Sequence, residues 1–382
     1  QVAVLAPTTV PYERESERGG AWFIGRCVAG LLEQARLSKS ELDGMAVSSM
    51  TLAPDSAVSL TEHFGLTVRW LEHLPMGGSS AIVGLRRAAR AIQSGDAKAI
   101  AVVAGETAHK GGFRDLIANF SRFSADAVYP YGAAGPNAVF ALITRAYMNE
   151  YGARREDFGR LCIAQRDNAR DNPLALLRDG LSMEDYLSAR PIAEPVHLYD
   201  CVLPCAGAEG FLVTSTDRAR ASGLPFAEIL ASEELHNAWP ADPIQLRGGW
   251  ARFRDDLYNA AGLGPGDMDF VQTYDDYPVI VVQQLEDLGC CAQGEGPAFL
   301  RKTDFTCAGD LPMNTCGGQL SAGQAGFAGG HLGVVEALRQ LTGQPLGRPV
   351  PDATAGLVSG YGMVNYDRCL SSAAAILRRG DA

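Results

Sequence analysis

Apolar residues along the chain form two alternating patterns, short continuous runs and repeats at helical spacing. Phe23, Cys27 and Leu31 recur on one face of a helical segment, whereas residues 99–104 form an unbroken apolar run. The patterns predict strands at 2–6, 43–50, 99–104, 270–273, 356–360 and 371–377. They predict helices at 21–36, 79–93, 154–170, 182–189, 249–261 and 277–288, and a last helix that ends near residue 342.

The order of these elements repeats along the chain. A glycine turn leads to a helix and then a strand after Gly77–Gly78, and again after Gly317–Gly318. Strands that alternate with helices predict parallel pairing with right-handed crossovers, and the repeat indicates an internal duplication. We predict two halves, residues 1–220 and 221–382. The polar segment at about 107–200 is predicted to be an inserted cap that carries part of a substrate site, the alternative being scaffold or dimer contacts.

Composition narrows the class of protein. The chain has 382 residues, more than the roughly 250–300 at which a single hydrophobic core stops growing. A net charge of −11 argues against a nucleic-acid partner, which favours basic surfaces. No apolar run approaches the ~20 residues of a membrane span, and the N-terminus has no signal pattern. Nine cysteines without a CxxC pair predict reduced thiols and a cytoplasmic location. No metal or redox cofactor is indicated.

Several stretches, taken together and in order, carry a family resemblance. They include GGSSAIVGLRRAARAIQSGDAKAIAVVAGE, RPIAEPVHLYDCVLPCAGAEGFLVTS, VQTYDDYPVIVVQQLEDLG and MNTCGGQLSAGQAGFAGGHLGVVEALRQL. The chain resembles the thiolase superfamily over essentially its whole length, in the branch related to the thiolase part of sterol-carrier proteins. The resemblance implies an α/β thiolase fold of five layers, αβαβα, built from two pseudo-equivalent halves. It also implies acyl-CoA ligands, a homodimer and a small partner subunit with an OB-fold and a zinc ribbon.

The nucleophile of an ordinary thiolase is missing. In the superfamily a cysteine stands just before the first glycine-rich turn, at a helix N-terminus that stabilises the thiolate. Met76 occupies the matching position, and a thioether cannot carry an acyl group. Ser79 and Ser80 lie nearby, but a serine nucleophile needs a base partner, so we expect them to cap the following helix. Cys316 or Cys205 remains an alternative nucleophile.

The other catalytic elements of the superfamily are also replaced. Asn314, Gly317 and Gly318 of the Asn-x-x-Gly-Gly motif are present, but Gln324 stands where the resemblance places a histidine. Glutamine donates a hydrogen bond but does not take a proton at neutral pH. The last element, usually a cysteine near the C-terminus, reads Ser-Gly-Tyr-Gly-Met around Tyr361. The standard acyl-transfer mechanism is therefore not expected.

The resemblance to cysteine-less aldolases of this superfamily indicates Tyr274 as an acid/base group. A phenol serves in a retro-aldol step if neighbours lower its pKa of about 10. A second tyrosine is expected before the last long helix, where this chain has Phe327. Tyr361 or His331, the latter at a helix start that favours neutral imidazole, is then predicted to supply the missing group.

We predict an oxyanion hole for the thioester oxygen, formed by Gly77, Gly78, Ser79, Asn314, Gly317, Gly318 and Gln324. Such donors favour cleavage or formation of a C–C bond in a β-hydroxyacyl-CoA through an enolate, with coenzyme A present only as part of the substrate. Two alternatives remain open. One is an acyltransferase with a non-standard nucleophile, and the other is a non-catalytic acyl-CoA-binding or lipid-carrier subunit of a hetero-complex.

Overall fold

The computed structural model describes residues 1–118, 120–133 and 135–381. Residues 119 and 134, within the predicted insertion, lie outside the described residues. The strands are β1 (Val2–Glu13), β2 (Gly44–Ser48), β3 (Trp70–His73), β4 (Ala99–Glu106), β5 (Pro191–Ala193), β6 (Val196–His197), β7 (Ala206–Ser215), β8 (Phe226–His236), β9 (Phe270–Gln272), β10 (Ala355–Asn365) and β11 (Arg368–Arg379). The helices are α1 (Gly20–Ala35), α2 (Ala57–Phe64), α3 (Ser80–Ser94), α4 (Gly112–Ala118), α5 (Arg122–Ala125), α6 (Pro136–Tyr151), α7 (Arg155–Ala169), α8 (Met183–Ser188), α9 (Thr216–Ser222), α10 (Trp250–Ala261), α11 (Pro278–Asp287), α12 (Gly296–Lys302), α13 (Gly318–Ala322) and α14 (Ala328–Leu341).

Nine of these strands form one sheet whose order repeats a pattern. The order is β3-β2-β4-β7-β1-β8-β11-β10-β9. In the first half β3, β2 and β4 are parallel and β7 and β1 follow antiparallel. In the second half β9 and β10 are parallel and β11 and β8 follow antiparallel, while a parallel bridge from Val271 to Met313 stands where β3 stands in the first half. The predicted parallel pairing is thus correct for only part of each half, and the sheet is mixed.

The two central helices, α3 and α14, lie between the halves of the sheet. Every residue of α14 except Gly333 is buried. On β4 the side chains alternate, so that Ile100 and Val102 pack in the cluster with α3 and α14, whereas Ala101 and Val103 pack in the cluster with α1. The outer face of the second half is covered by α10 and α11. The layers are therefore helix, sheet, helix, sheet and helix, as expected.

The insertion and several element ends differ from the predictions. The first strand continues from the predicted end at residue 6 to Glu13, and β10 and β11 are each longer than predicted. The strands β3, β7 and β8 and the helices α2 and α6 have no counterpart among the predicted elements. None of the helices that the described residues form has the length and apolar character needed to cross a bilayer.

The central helices and the sheet come into close backbone contact at Gly78. A Cβ on Gly330 of α14 would lie 2.4 Å from the Gly78 carbonyl oxygen, and a Cβ on Gly360 of β10 would lie 2.7 Å from the same atom. Real Cβ atoms do not approach a backbone oxygen so closely. Glycine at these positions is therefore required by the close approach of three backbone segments.

A pair of substitutions in α14 tests this contact. Gly330→Ala is expected to lower the free energy of unfolding by about 1–3 kcal/mol, because the new methyl group displaces backbone. Gly333→Ala is the matched control, since its Cβ would meet Gln272 and Val358 side chains at an ordinary 3.4 Å. That variant should be neutral or more stable by about 0.5–1 kcal/mol. Equal effects in urea denaturation would contradict the packing described here.

Candidate active site

A cavity of about 320 Å³ lies at the carboxyl ends of β2 and β9. Gly77 and Gly78, just before α3, line it through their backbone, and Gly326 and Phe327 line it just before α14. Helix N-termini carry unpaired N–H groups and positive partial charge, so both central helices favour negative charge in the cavity. Most of the other lining residues are apolar, namely Met50, Leu116, Phe120, Phe140, Ile192, Leu198, Val202, Leu203, Met363 and Val364.

Tyr274 is held at the cavity by contacts to its ring and its backbone. Its ring lies against Gly78, where a Cβ would come within 2.0 Å of Cε2. The side chain of Gln284 from α11 accepts a hydrogen bond from the Tyr274 backbone N–H at 3.1 Å and donates one to its carbonyl at 2.7 Å. Ser359 of β10 donates to the same glutamine at 2.7 Å. The phenol is therefore fixed by the surrounding fold.

The Tyr274 hydroxyl lies near the carboxylate of Asp276, and the Gln324 side chain donates a hydrogen bond to each of them. The Gln324 Nε2 atom lies 2.5 Å from Asp276 Oδ1 and 3.4 Å from Tyr274 Oη. Burial and the charge of the neighbouring Asp276 raise the pKa of Tyr274 well above its ordinary value. The condition stated above, that neighbours lower this pKa, is therefore not met, and the phenol needs a partner to accept its proton.

Asp276 and the residue before it point in opposite directions. Burial, together with the charge of Asp275, raises the pKa of Asp276 to about 7. Asp275 itself accepts hydrogen bonds from the backbone N–H groups of Gln319 and Leu320 at the start of α13, and from the side chains of Gln319 and Gln165. Asp275 is thus a structural carboxylate, whereas Asp276 faces the cavity and is poised to take a proton near neutral pH.

Tyr361 supplies a second hydroxyl on the same wall. Its ring is stacked on that of Tyr274, with centroids 6.4 Å apart and an interplanar angle of 12°. Within the described part of the chain, no group forms a hydrogen bond with the Tyr361 hydroxyl. Burial raises its pKa well above the ordinary value, so the hydroxyl keeps its proton and is free to donate it to a bound molecule.

A buried carboxylate that the sequence did not indicate, Glu106, joins the loops on either side of the cavity. It accepts hydrogen bonds from the backbone N–H groups of Met50, Thr51 and Phe327 at 2.7, 2.9 and 3.2 Å. A Cβ on Gly326 would lie 2.7 Å from the Glu106 side chain. The loop after β2 and the loop before α14 are thus held together by the end of β4.

Comparison with known proteins agrees with this architecture. Residues 249–379 match the family model described as thiolase C-terminal domain-like. A steroid side-chain-cleaving aldolase of Thermomonospora curvata is 29% identical over 94% of this chain and 94% of its own length. A 17-hydroxy-3-oxo-4-pregnene-20-carboxyl-CoA lyase of Mycobacterium tuberculosis is 29% identical over 90% and 92%. A solved Ltp2-ChsH2(DUF35) aldolase structure superposes with a TM-score of 0.86 at 27% identity, over 99% of this chain and 97% of that one.

The chain belongs to the thiolase superfamily. It lies in the branch that contains thiolase-like proteins of the sterol-carrier type and the Ltp2-type aldolases. Because ordinary members of this superfamily use a cysteine thiolate, the ionisation of the thiols near the cavity indicates whether one of them can serve as a nucleophile. Cys201 lines the cavity, but burial raises its pKa to about 12. Burial also raises the pKa of Cys205 and of Cys316, so none of these three thiols resembles the thiolate of a superfamily nucleophile.

The predicted site residues divide into two groups. Gly77, Gly78, Tyr274, Gln324 and Tyr361 line the cavity together. Gln324 is held there by its backbone, which is bonded to Leu203 and Cys205 at 2.9 Å each. The remaining predicted residues, Ser79, Asn314, Gly317, Gly318 and His331, are absent from the cavity lining that the described residues form.

Each of the second group has a structural contact. The Ser79 hydroxyl donates to the Met76 carbonyl and contacts Ser371, and that of Ser80 bonds within the turn before α3, so neither caps the helix as expected. Asn314 accepts from the Thr273 backbone N–H at 2.8 Å.

The two glycines and the histidine of that group are packed in the interior. A Cβ on Gly317 would meet Ala169, and one on Gly318 would meet Asp275. His331 is fully buried, and burial lowers its pKa to about 4. It has no contact with the cavity, and the site proposed below does not include it.

Several polar residues of the cavity, among them Asp276, Asn137 and Arg190, were missed from the sequence. Asp276 was visible as part of the Tyr-Asp-Asp-Tyr segment, and its side could have been inferred because residues two apart in an extended segment face the same way. Asn137 lies at the start of α6, in the region predicted only as a cap, and nothing in the sequence near it signals a site.

The raised pKa of Asp276 leads to a prediction about stability. Between the two pKa values, a carboxyl group with a raised pKa in the folded protein holds a proton that the same group in the unfolded chain, with a pKa of about 3.9, has lost. Its contribution to stability is fully present below that ordinary pKa and is lost as the pH rises through about 7. Asp276→Asn should therefore melt at a higher temperature than the wild type at pH 8, with the difference disappearing near pH 4.

The matched control is Asp275→Asn. It should be destabilised at both pH values, because an amide NH₂ group would face N–H donors from Gln319, Leu320 and Gln165. The measurement is the melting temperature of the wild type and of the two variants between pH 4 and pH 8. A difference between Asp276→Asn and wild type that does not change with pH would show that the carboxylate is not destabilised in the folded protein.

Proposed function

We propose that this protein breaks the bond between the α and β carbons of a β-hydroxyacyl-CoA in a retro-aldol reaction. The observation that carries the proposal is that Tyr274 and Asp276 share the Gln324 side chain as hydrogen-bond donor, with the ring of Tyr361 stacked beside Tyr274 in a largely apolar cavity. The names of the two relatives, a steroid side-chain-cleaving aldolase and a CoA lyase, support the same chemistry and suggest a steroid acyl group.

The first step is loss of the proton on the β-hydroxyl. Tyr274 does not act as a resting phenolate, since its pKa is raised. It takes the hydroxyl proton while passing its own proton to Asp276, whose pKa of about 7 suits a base at neutral pH. As the C–O bond becomes a carbonyl, the α–β carbon bond breaks and its electron pair moves to the thioester.

The second step is protonation of the resulting enolate. The N–H groups of Gly77 and Gly78 and the positive end of α3 stabilise the negative charge on the thioester oxygen. Tyr361 donates its proton to the α carbon, and the proton held by Asp276 then returns to Tyr361. The products are a ketone or aldehyde and a shorter acyl-CoA, and every protein group regains its starting state.

A second cavity, of about 640 Å³, offers room for the coenzyme A arm. It shares Met50, Leu203 and Gln324 with the first cavity, and Arg14 and His109 lie on its wall. Charged side chains of both signs, Arg14 with Glu15 and Glu106, line this second cavity, whereas most of the wall beside Tyr361 is apolar and suits an acyl group. We therefore propose that the acyl group occupies the first cavity and the pantetheine arm runs into the second.

The two alternatives predict different structural features. An acyltransferase needs a nucleophile, and the thiols nearest the site have raised pKa values. A non-catalytic carrier has no need for a carboxylate that is buried at a cost in stability beside a phenol. Both observations favour the aldolase over its rivals.

We further propose a partner subunit and a homodimer. A solved structure that superposes with a TM-score of 0.86 is named as an Ltp2-ChsH2(DUF35) aldolase, which suggests a DUF35 partner. A small partner with an OB-fold and a zinc ribbon would then cover the open side of the substrate site. Co-expression with such a protein, followed by size-exclusion chromatography, tests the association.

The reaction itself is tested with 17-hydroxy-3-oxo-4-pregnene-20-carboxyl-CoA, with and without a co-expressed DUF35 subunit. Breaking the bond between C17 and C20 should give a 17-ketosteroid and propionyl-CoA in equal amounts, without consumption of free CoA. Mass spectrometry measures both products. Consumption of free CoA, or an acyl group trapped on the protein, would establish acyl transfer instead, and binding without turnover in the complex would establish a carrier.

The catalytic roles are tested by removing single hydroxyl groups. Tyr274→Phe and Tyr361→Phe should each lower kcat by roughly a hundredfold or more, since general acid–base groups contribute about 10²–10⁴-fold. Tyr258→Phe is the matched control, because this buried hydroxyl donates only to the Leu288 carbonyl away from the cavity. Full activity in Tyr274→Phe, with an unchanged melting temperature, would refute the mechanism.

A further inference from the structure

Asn137, on the wall of the cavity, has a side chain whose orientation is fixed by its neighbours. It stands in the first turn of α6 and is partly exposed to the cavity. Its Oδ1 atom accepts a hydrogen bond from the Tyr277 hydroxyl at 2.5 Å, and the Cys201 thiol lies 4.0 Å from the same atom. Burial raises the pKa of both Tyr277 and Cys201, so each neighbour carries its proton and is a donor.

The fixed oxygen leaves the amide nitrogen as a donor without a partner. Rotating the amide by 180° would place its NH₂ group against the donating phenol, which is unfavourable. Tyr277 cannot easily move aside to permit this rotation, because it is 4% exposed and its ring is stacked on that of Phe140, with ring centroids 4.1 Å apart. Among the described residues none accepts a hydrogen bond from Asn137 Nδ2, so this N–H group is available to a molecule in the cavity.

The position of this donor indicates which part of a substrate it meets. Successive ring contacts lead from Tyr274 to Tyr361, from Tyr361 to Phe140 and from Phe140 to Tyr277, which holds Asn137. If the thioester lies next to Gly78 and the start of α3, as proposed above, Asn137 stands at the other end of this series of ring contacts. Arg190 also lines the cavity and lies near Cys201, but the wall between Tyr361 and Tyr277 is aromatic, and a fixed amide donor beside such a wall orients a ligand through one acceptor atom.

We propose that Asn137 is a specificity-determining residue that donates a hydrogen bond to a carbonyl oxygen on the apolar acyl part of the substrate, remote from the bond that breaks. The inference rests on the proposed function and narrows the range of acyl groups expected as substrates. Acyl groups that carry such an oxygen are preferred, because a buried amide donor left without an acceptor is costly. A wholly hydrocarbon acyl group is therefore a poor substrate even where its shape fits.

The experiment compares two thioesters that differ in one oxygen, 17-hydroxy-3-oxo-4-pregnene-20-carboxyl-CoA and the same compound without the 3-oxo group. The wild-type complex should prefer the oxo compound in kcat/KM by roughly tenfold to a hundredfold. Asn137→Leu should lose that preference while still cleaving the compound without the oxo group. Asn259→Leu, on the exposed side of α10, is the matched control and should keep the preference.

Tyr277→Phe is a second variant, in case Asn137→Leu does not fold. Without the phenol the amide is free to rotate, so the preference should fall, with the compound lacking the oxo group affected little. An unchanged preference in both variants, or an equal loss of activity on both thioesters, would overturn the assignment of Asn137 while leaving the aldolase proposal intact.

Binding measurements test the role of Asn137 without requiring that the protein catalyse a reaction. Calorimetric titration with the expected product, 4-androstene-3,17-dione, and with its analogue lacking the 3-oxo group needs no chemical step. The wild type should bind the diketone more tightly, and Asn137→Leu should bind both alike. If neither thioester is cleaved by the complex, the proposed function fails, and equal binding of the two ketones by the wild type would refute the role of Asn137 independently.

Discussion

The close approach of backbone segments at Gly78 is the constraint on which the site depends. A carbonyl oxygen at the start of one central helix touches Gly330 of the other central helix and Gly360 of the adjoining strand, while the glycine Cα faces the ring of Tyr274. No side chain separates these segments. As a result these segments are in direct contact. A displacement of the Tyr274 phenol, of the turn before α3 or of the start of α14 therefore moves the other two.

The electrostatics of the site follow from two adjacent carboxylates with different surroundings. Asp275 is surrounded by N–H donors and ties α13 to the loop after β9. Asp276 has only a phenol and one amide, and its carboxylate remains reactive. The superfamily's usual reactive group is a thiolate stabilised by a helix. Here the helix ends remain, but the groups beside them are a carboxyl and two hydroxyls, which in the proposed mechanism move protons and form no acyl bond.

Much of the fold could be predicted from sequence, because α3, β4, α10 and α11 have local apolar patterns. The strand β8 could not be predicted. Its acidic residues look like a solvated segment, yet Glu233 pairs with Arg86 at 3.0 Å and Glu228 with Arg378 at 2.6 Å, contacts that only the folded sheet creates. The site was predictable where glycines and tyrosines follow superfamily motifs. The pKa of Tyr274 and the burial of His331 were not, because both depend on which side chains the fold brings together.

The pairing of β1 with β8 has a consequence for access to the cavity. Ala3, Val4 and Leu5 pair with residues 226–228, so the two halves of the molecule share one continuous hydrogen-bonded ladder. A hinge between the halves would break that ladder. Leu116 and Phe120, which line the cavity from the segment between β4 and α6, lie outside that ladder, so they can shift without disturbing it.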